Sequence, residues 1–182
     1  NIANFPNHGA QAVAPSRGNM AEQIQALKQF VDIRGQKAQA TATAITEQGG
    51  HAVAMEADVS VAADVERMVS DTVQQLGSLD VLFSNAGALR PGSCVELSVE
   101  DWDLVMGVNV RSVFLGGKYA VPAMLERGGG SIINTASIAG FEGQKGQVAY
   151  ASSKGGILSM ALPMARDLAR EGIRVNTILP GF

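Results

Sequence analysis

The chain has 182 residues, 46% of them hydrophobic and 17% charged, with a formal net charge of −3. That balance excludes a disordered chain, a collagen-like repeat and a disulfide-stapled miniprotein, and it offers no basic stripe for a nucleic-acid backbone. Glycine is abundant at 21 residues and aromatics are scarce at 5%, which suits closely packed helices and strands better than a large all-β sandwich. Cys94 is the only cysteine. No internal disulfide can form, so a reducing cytoplasm is the expected setting, with Cys94 a partly buried and unreactive thiol. No apolar run reaches the ~18 residues that span a membrane. Residues 1–9 lack the charged start and apolar core of a signal peptide. His8 and His51 stand too far apart to share a metal.

Residues 1–6 (NIANFP) make a poor buried strand, with two Asn and a Pro in six residues, and 23–30 (QIQALKQF) has helical spacing. A short strand is expected around Phe30 and Val31, ending at Asp32. The Ala-rich stretch 36–48 predicts a helix stopped by Gly49 and Gly50. Residues 51–59 alternate like a strand. Apolar side chains at Val65, Met68, Val69, Val73 and Leu76 predict a helix over 64–76, closed by Gly77. A strand follows at 79–83, then a long helix over 100–127 with Ser98 as N-cap and Glu100 and Asp101 in its first turn. A strand at 131–135, a helix at 148–170 and a strand at 173–179 complete the series. Strands alternating with helices predict one α/β domain over 1–182, built on an open, doubly wound parallel sheet with helices on both faces.

Such sheets bind ligands at the carboxyl ends of their strands. The residues just past those ends are Asp32, Asp58 and Val59, Asn85, Ala86 and Gly87, Ser137, and Pro180 and Gly181. Tyr150 and Lys154 lie four apart on one face of the helix over 148–170. An ammonium that near a phenol favours the phenolate, so Tyr150 becomes a candidate acid/base for an alcohol or ketone oxygen. Ser137, thirteen residues before Tyr150, could hold the same oxygen. Asn109 interrupts an apolar helical stretch (Val105, Met106, Val108, Val110, Val113 and Phe114), where its low helix propensity needs a reason.

Taken in order and at these spacings, Asn85-Ala86-Gly87, Asn109, Ser137, Tyr150-x-x-x-Lys154 and Pro180-Gly181 resemble the short-chain dehydrogenases/reductases, over 31–182. The stretch FEGQKGQVAYASSKGGILSMALPMARDLA looks most like members acting on 3-hydroxyacyl thioesters or related secondary alcohols. The resemblance implies a Rossmann-like fold and an NAD(P)-dependent oxidoreductase that interconverts a secondary alcohol and a ketone by hydride transfer. It implies roles for single residues too. Tyr150 would exchange the proton; Lys154 would ease its ionisation and hold the nicotinamide ribose; Ser137 would orient the substrate oxygen; and Asn109 would hold a relay water. Asp58 and Val59 would contact adenine, Asn85, Ala86 and Gly87 would lie near the adenosine ribose, and Pro180 and Gly181 would face the nicotinamide. Asp32 falls where a carboxylate would accept from both ribose hydroxyls and repel a 2′-phosphate, which favours NAD over NADP, with Arg34 close by. Pairing of copies through 100–127 and 148–170, as a dimer or tetramer, is also implied, with no metal, nucleic acid or membrane partner.

Two departures from the family's pattern stand out. Its opening strand leads into a Thr-Gly-x-x-x-Gly-x-Gly loop that cradles a pyrophosphate. The corresponding stretch 7–14 (NHGAQAVA) has Gly9 alone and no Thr, so residues 1–30 are atypical. Family members also continue past Pro-Gly into a substrate-covering segment, so the domain is expected to be incomplete at both ends. The alternative to an enzyme is a non-catalytic relic of the family serving as a scaffold or interaction protein.

Overall fold

The structure, a computed structural model, describes residues 11–14, 28–32 and 35–181. Its strands are β1 (Gln11–Ala14), β2 (Lys28–Asp32), β3 (Ala52–Glu56), β4 (Val81–Ser84), β5 (Gly130–Thr135) and β6 (Ile173–Ile178). They form a single sheet in the order β3-β2-β1-β4-β5-β6. β2 pairs parallel with β3, and β4, β5 and β6 pair parallel in turn. β1 lies antiparallel to both β2 and β4, so β2 through β6 all run the same way and present their carboxyl ends along one edge. The strand order reverses between β1 and β4, where open α/β sheets form their ligand crevice.

Three sequence expectations are corrected here. The parallel sheet holds everywhere except at β1, which is reversed. Within the stretch that corresponds to the family's pyrophosphate loop, residues 11–14 are that reversed strand; the rest of 7–14 lies outside the described residues. For residues 11–14, either strand direction satisfies the backbone N–H and C=O groups. The helical spacing of 23–30 is overridden at Lys28–Phe30, which belong to β2 and pair in register with β3 from Lys28↔Ala52 to Asp32↔Glu56. Cys94 is exposed, on a surface turn beside Ser93 and Glu96, instead of partly buried.

The helices follow the apolar spacing closely. α1 (Gly35–Glu47) buries Ala38 and Ala42 and stops where Gly49 adopts φ 83°. α2 (Ala62–Leu76) buries Val65, Met68, Val69, Thr72 and Leu76, and the left-handed Gly77 closes it by donating to Val73 O. The long helix comes in three parts: α3 (Val99–Met106), a π segment (Gly107–Arg111) and α4 (Ser112–Glu126). Ser98 caps α3 by accepting from Asp101 N at 3.1 Å. A short α5 (Ala139–Glu142) precedes α6 (Val148–Asp167), which ends three residues before the expected 170.

The core lies between the sheet and α2 and α4. Leu82 and Ile132, register partners on β4 and β5, are fully buried with Met68 and Met124. Side chains of this size each contribute about 1.5–3 kcal/mol when removed from water. No helix among the described residues is long and apolar enough to cross a membrane.

Candidate active site

Every candidate residue past a strand end lies on the carboxyl edge of the sheet, and several are joined there. Lys154 projects from α6 and is 3% exposed. Its Nζ donates to Thr135 O at 2.7 Å, at the end of β5, and stands 5.6 Å from the centroid of the Tyr150 ring one turn earlier. Burial holds this ammonium below the ordinary lysine range, at about 8. Thr135 Oγ1 in turn donates to Asn85 Oδ1 at 3.0 Å, which ties the ends of β4 and β5 together. Gly87 follows in the same loop: a Cβ there would lie 3.6 Å from Asn109 Oδ1 and 3.8 Å from Lys154 Nζ.

Asn109 explains its own position inside a helix. It is fully buried in the π segment. Its Oδ1 accepts from Ala88 N at 2.7 Å, and its Nδ2 donates to Ala88 O at 3.0 Å and to Ser153 Oγ at 2.8 Å. Ser153 Oγ donates to Tyr150 O at 2.7 Å. One amide therefore clamps the loop after β4 onto α6 behind the Tyr150–Lys154 pair. Both Nδ2 protons are used in this way, so a relay water at this side chain would be held through the second lone pair of Oδ1.

Ser137 lies two residues past β5, and its Oγ accepts from Ala139 N, the first residue of α5, at 3.2 Å. Pro180 O accepts from Ile138 N at 3.2 Å, and a Cβ on Gly181 would lie 3.4 Å from Ile138 Cδ1, so the segment after β6 rests against the Ser137 loop. At the other half of the edge, Asp58 accepts from Ser60 N at 2.8 Å and Ser60 Oγ at 2.7 Å, turning the chain into α2, and Val59 is buried. Asp32 closes β2 and is half-buried; Arg34 lies outside the described residues.

Four residues of the site were not singled out from the sequence. Ala88 acts through backbone atoms, and Thr135 meets Lys154 through its backbone O as well as Asn85 through its Oγ1, contacts that no side-chain pattern reveals. Ser153 adjoins Lys154 in the chain, and only the fold brings its hydroxyl to Asn109. Glu56 is the register partner of Asp32 on β3, and a Cβ on Gly35 would lie 2.6 Å from its Oε2. The carboxylate thus sits over the first residue of α1, where the helix dipole favours it. The alternation of 51–59 hid it, because the strand was expected to run on to Val59 and instead stops at Glu56.

The described residues of the edge fit the two riboses of a dinucleotide. Gly87 keeps side-chain bulk out of the space beside Asn109 and Lys154. Lys154 carries three donors, of which Thr135 O takes one, leaving protons for a ribose hydroxyl and a phenol. Asp32 and Glu56 would face the adenosine ribose with two carboxylates.

The chain belongs to the short-chain dehydrogenase family, whose model matches residues 17–182. Among its relatives, the 3-oxoacyl-[acyl-carrier-protein] reductase FabG of Staphylococcus aureus is 38% identical over 147 residues, covering 81% of this chain and 60% of that protein. An uncharacterized oxidoreductase of Thermotoga maritima is 41% identical over 150 residues, covering 82% and 59%. A crystal structure described as a short-chain dehydrogenase/reductase from Burkholderia xenovorans superposes with a TM-score of 0.80 at 35% identity, covering 85% of this chain and 59% of that one. The chain thus spans about three-fifths of the length of the relatives it matches.

Proposed function

We propose that this chain carries the catalytic core of an NAD-dependent oxidoreductase that interconverts a secondary alcohol and its ketone, with a 3-hydroxyacyl thioester or a related hydroxy compound as substrate. The observation that carries the reading is the Lys154 ammonium, buried 5.6 Å from the Tyr150 ring centroid and one turn along the same helix. A bound nicotinamide supplies the hydride acceptor or donor. The protein's own groups handle the proton and the geometry. Tyr150 Oη exchanges a proton with the substrate oxygen, and the neighbouring ammonium stabilises the phenolate left behind. Ser137 Oγ holds the same oxygen. Lys154 Nζ, braced on Thr135 O, also holds the ribose. Asn109 keeps the loop after β4 pressed on α6, so that these groups meet without reorganisation. Support for the substrate class comes from the Staphylococcus aureus relative, which is a 3-oxoacyl-[acyl-carrier-protein] reductase.

NAD is preferred because Asp32 and Glu56 end adjacent parallel strands and would meet a 2′-phosphate with like charge. Copies of the chain associate through 100–127 and 148–170, where Phe114 and Leu162 are 54% and 56% exposed. A scaffold without chemistry is disfavoured by Lys154: a buried cation costs stability and gives a pure interaction module nothing in return. Fluorescence titration with NADH and NADPH tests the cofactor reading. NADH is expected to bind at least about tenfold more tightly, with Asp32→Ala narrowing the ratio. Absence of binding by either at millimolar concentration contradicts it, and so does a preference for NADPH.

A further inference from the structure

Ser137 is tied to α5 by two bonds: its Oγ accepts from Ala139 N at 3.2 Å, and its backbone O accepts from Gly140 N at 3.1 Å. Where α5 goes, the Ser137 loop goes. α5 in turn rests on α6 through bare backbone. A Cβ built on Gly140 would lie 2.6 Å from Gly155 N, 2.6 Å from the Lys154 carbonyl carbon and 3.0 Å from Lys154 Cβ. From the opposite side, a Cβ on Gly155 would lie 3.2 Å from Gly140 O. The two closest of these atoms are main chain inside a helix, which cannot swing aside as a side-chain tip can. The contact falls at Lys154 itself, one turn from Tyr150. It differs in kind from Gly143 and Gly146, whose φ of 71° and 73° serve turns and whose missing Cβ would touch nothing within 4 Å.

We infer that Gly140 is a positioning residue: the backbone contact of α5 with Lys154 and Gly155 sets the separation between the Ser137 hydroxyl and the Tyr150–Lys154 pair. The inference rests on the proposed roles of Ser137, Tyr150 and Lys154. A methyl group at Gly140 lifts α5 from α6 and carries Ser137 with it, while the ends of β2, β3 and β4, which would bind the adenosine half of the dinucleotide, lie outside the contact. Displacements of this size at a reacting centre lower rates steeply.

The test compares the purified protein with its Gly140→Ala, Gly155→Ala and Tyr150→Phe variants. Turnover is measured with NAD and a panel of secondary alcohols, and expressed per nicotinamide-binding site counted by fluorescence titration. Gly140→Ala is expected to lower kcat per site about 10- to 100-fold, with KM and the NADH Kd changed by less than about threefold. Gly155→Ala, whose added carbon meets one oxygen, shows a smaller loss of the same pattern. It carries the test alone if Gly140→Ala does not fold. Unchanged kcat per site in the folded variants overturns the inference, as does a loss confined to KM or to the number of binding sites. Full activity in Tyr150→Phe overturns the proposed chemistry and the inference with it, so the two failures are told apart by that variant.

Discussion

Lys154 gives up its hydration on entering the site. A lysine at 3% exposure keeps one acceptor, Thr135 O, in exchange for its hydration, and its ammonium is held at about 8 instead of 10.5. Below pH 8 both folded and unfolded chains keep the proton, and the folded state bears the full cost of burying it. Between pH 8 and 10.5 the folded protein has released the proton while the unfolded chain still binds it, so this group makes stability rise with pH across that window. At 1.36 kcal/mol per unit, the rise amounts to about 3 kcal/mol. Replacement by Lys154→Met removes it. Urea unfolding of both proteins across the window should show the wild type gaining on the variant by about that amount as pH increases. Parallel stability curves would contradict the burial of a titrating ammonium. The same experiment separates stability from function, since the variant is expected to be more stable near pH 7 and without turnover.

At the scale of elements, the long helix between β4 and β5 shows how far the amino-acid pattern reaches. Its ends were readable: Ser98 caps it as expected, and the Gly128 to Gly130 run closes it after Arg127. The π segment at Gly107–Arg111 was not readable, because an apolar stripe with an Asn inside it suits α and π turns alike. What selects the wider turn is Asn109 meeting Ala88 and Ser153, contacts 21 and 44 residues away in the chain. The short α5 escaped notice for a related reason, since its packing on α6 depends on the absence of a side chain at Gly140. By contrast α2 was legible almost to the residue, because four of its five spaced side chains, Val65, Met68, Val69 and Leu76, lie in its buried face together with Thr72. Gly107, at φ −59° with only Ser60 Cβ within 4 Å of a built Cβ, is helical and roomy. Gly107→Ala should raise stability by about 0.5–1 kcal/mol in thermal or urea unfolding, through the lower backbone entropy of the unfolded chain. A loss of stability would mean that the π segment needs glycine at its start.

For the molecule as a whole, the sheet supplies what the chemistry needs: β2 to β6 run one way and deliver Asp32, Asp58, Asn85, Ser137 and Pro180 to a single edge. The alternation of strands and helices made that edge legible, along with most of its residues. The direction of β1 was not, because backbone groups of a stretch such as QAVA pair in either ladder. Outward from this frame, Phe114 and Leu162 stand exposed on α4 and α6. Phe114→Glu combined with Leu162→Glu should shift the protein to a smaller species in analytical ultracentrifugation, because charges buried between copies are costly. An unchanged mass would remove these helices from the interface. The central claim concerns the proton that passes at Tyr150, and it is tested most directly by following nicotinamide absorbance with Tyr150→Phe against a panel of secondary alcohols and 3-hydroxyacyl thioesters. The account predicts a loss of about 10²- to 10⁴-fold in kcat with NADH binding retained. A rate equal to that of the unaltered protein would contradict it.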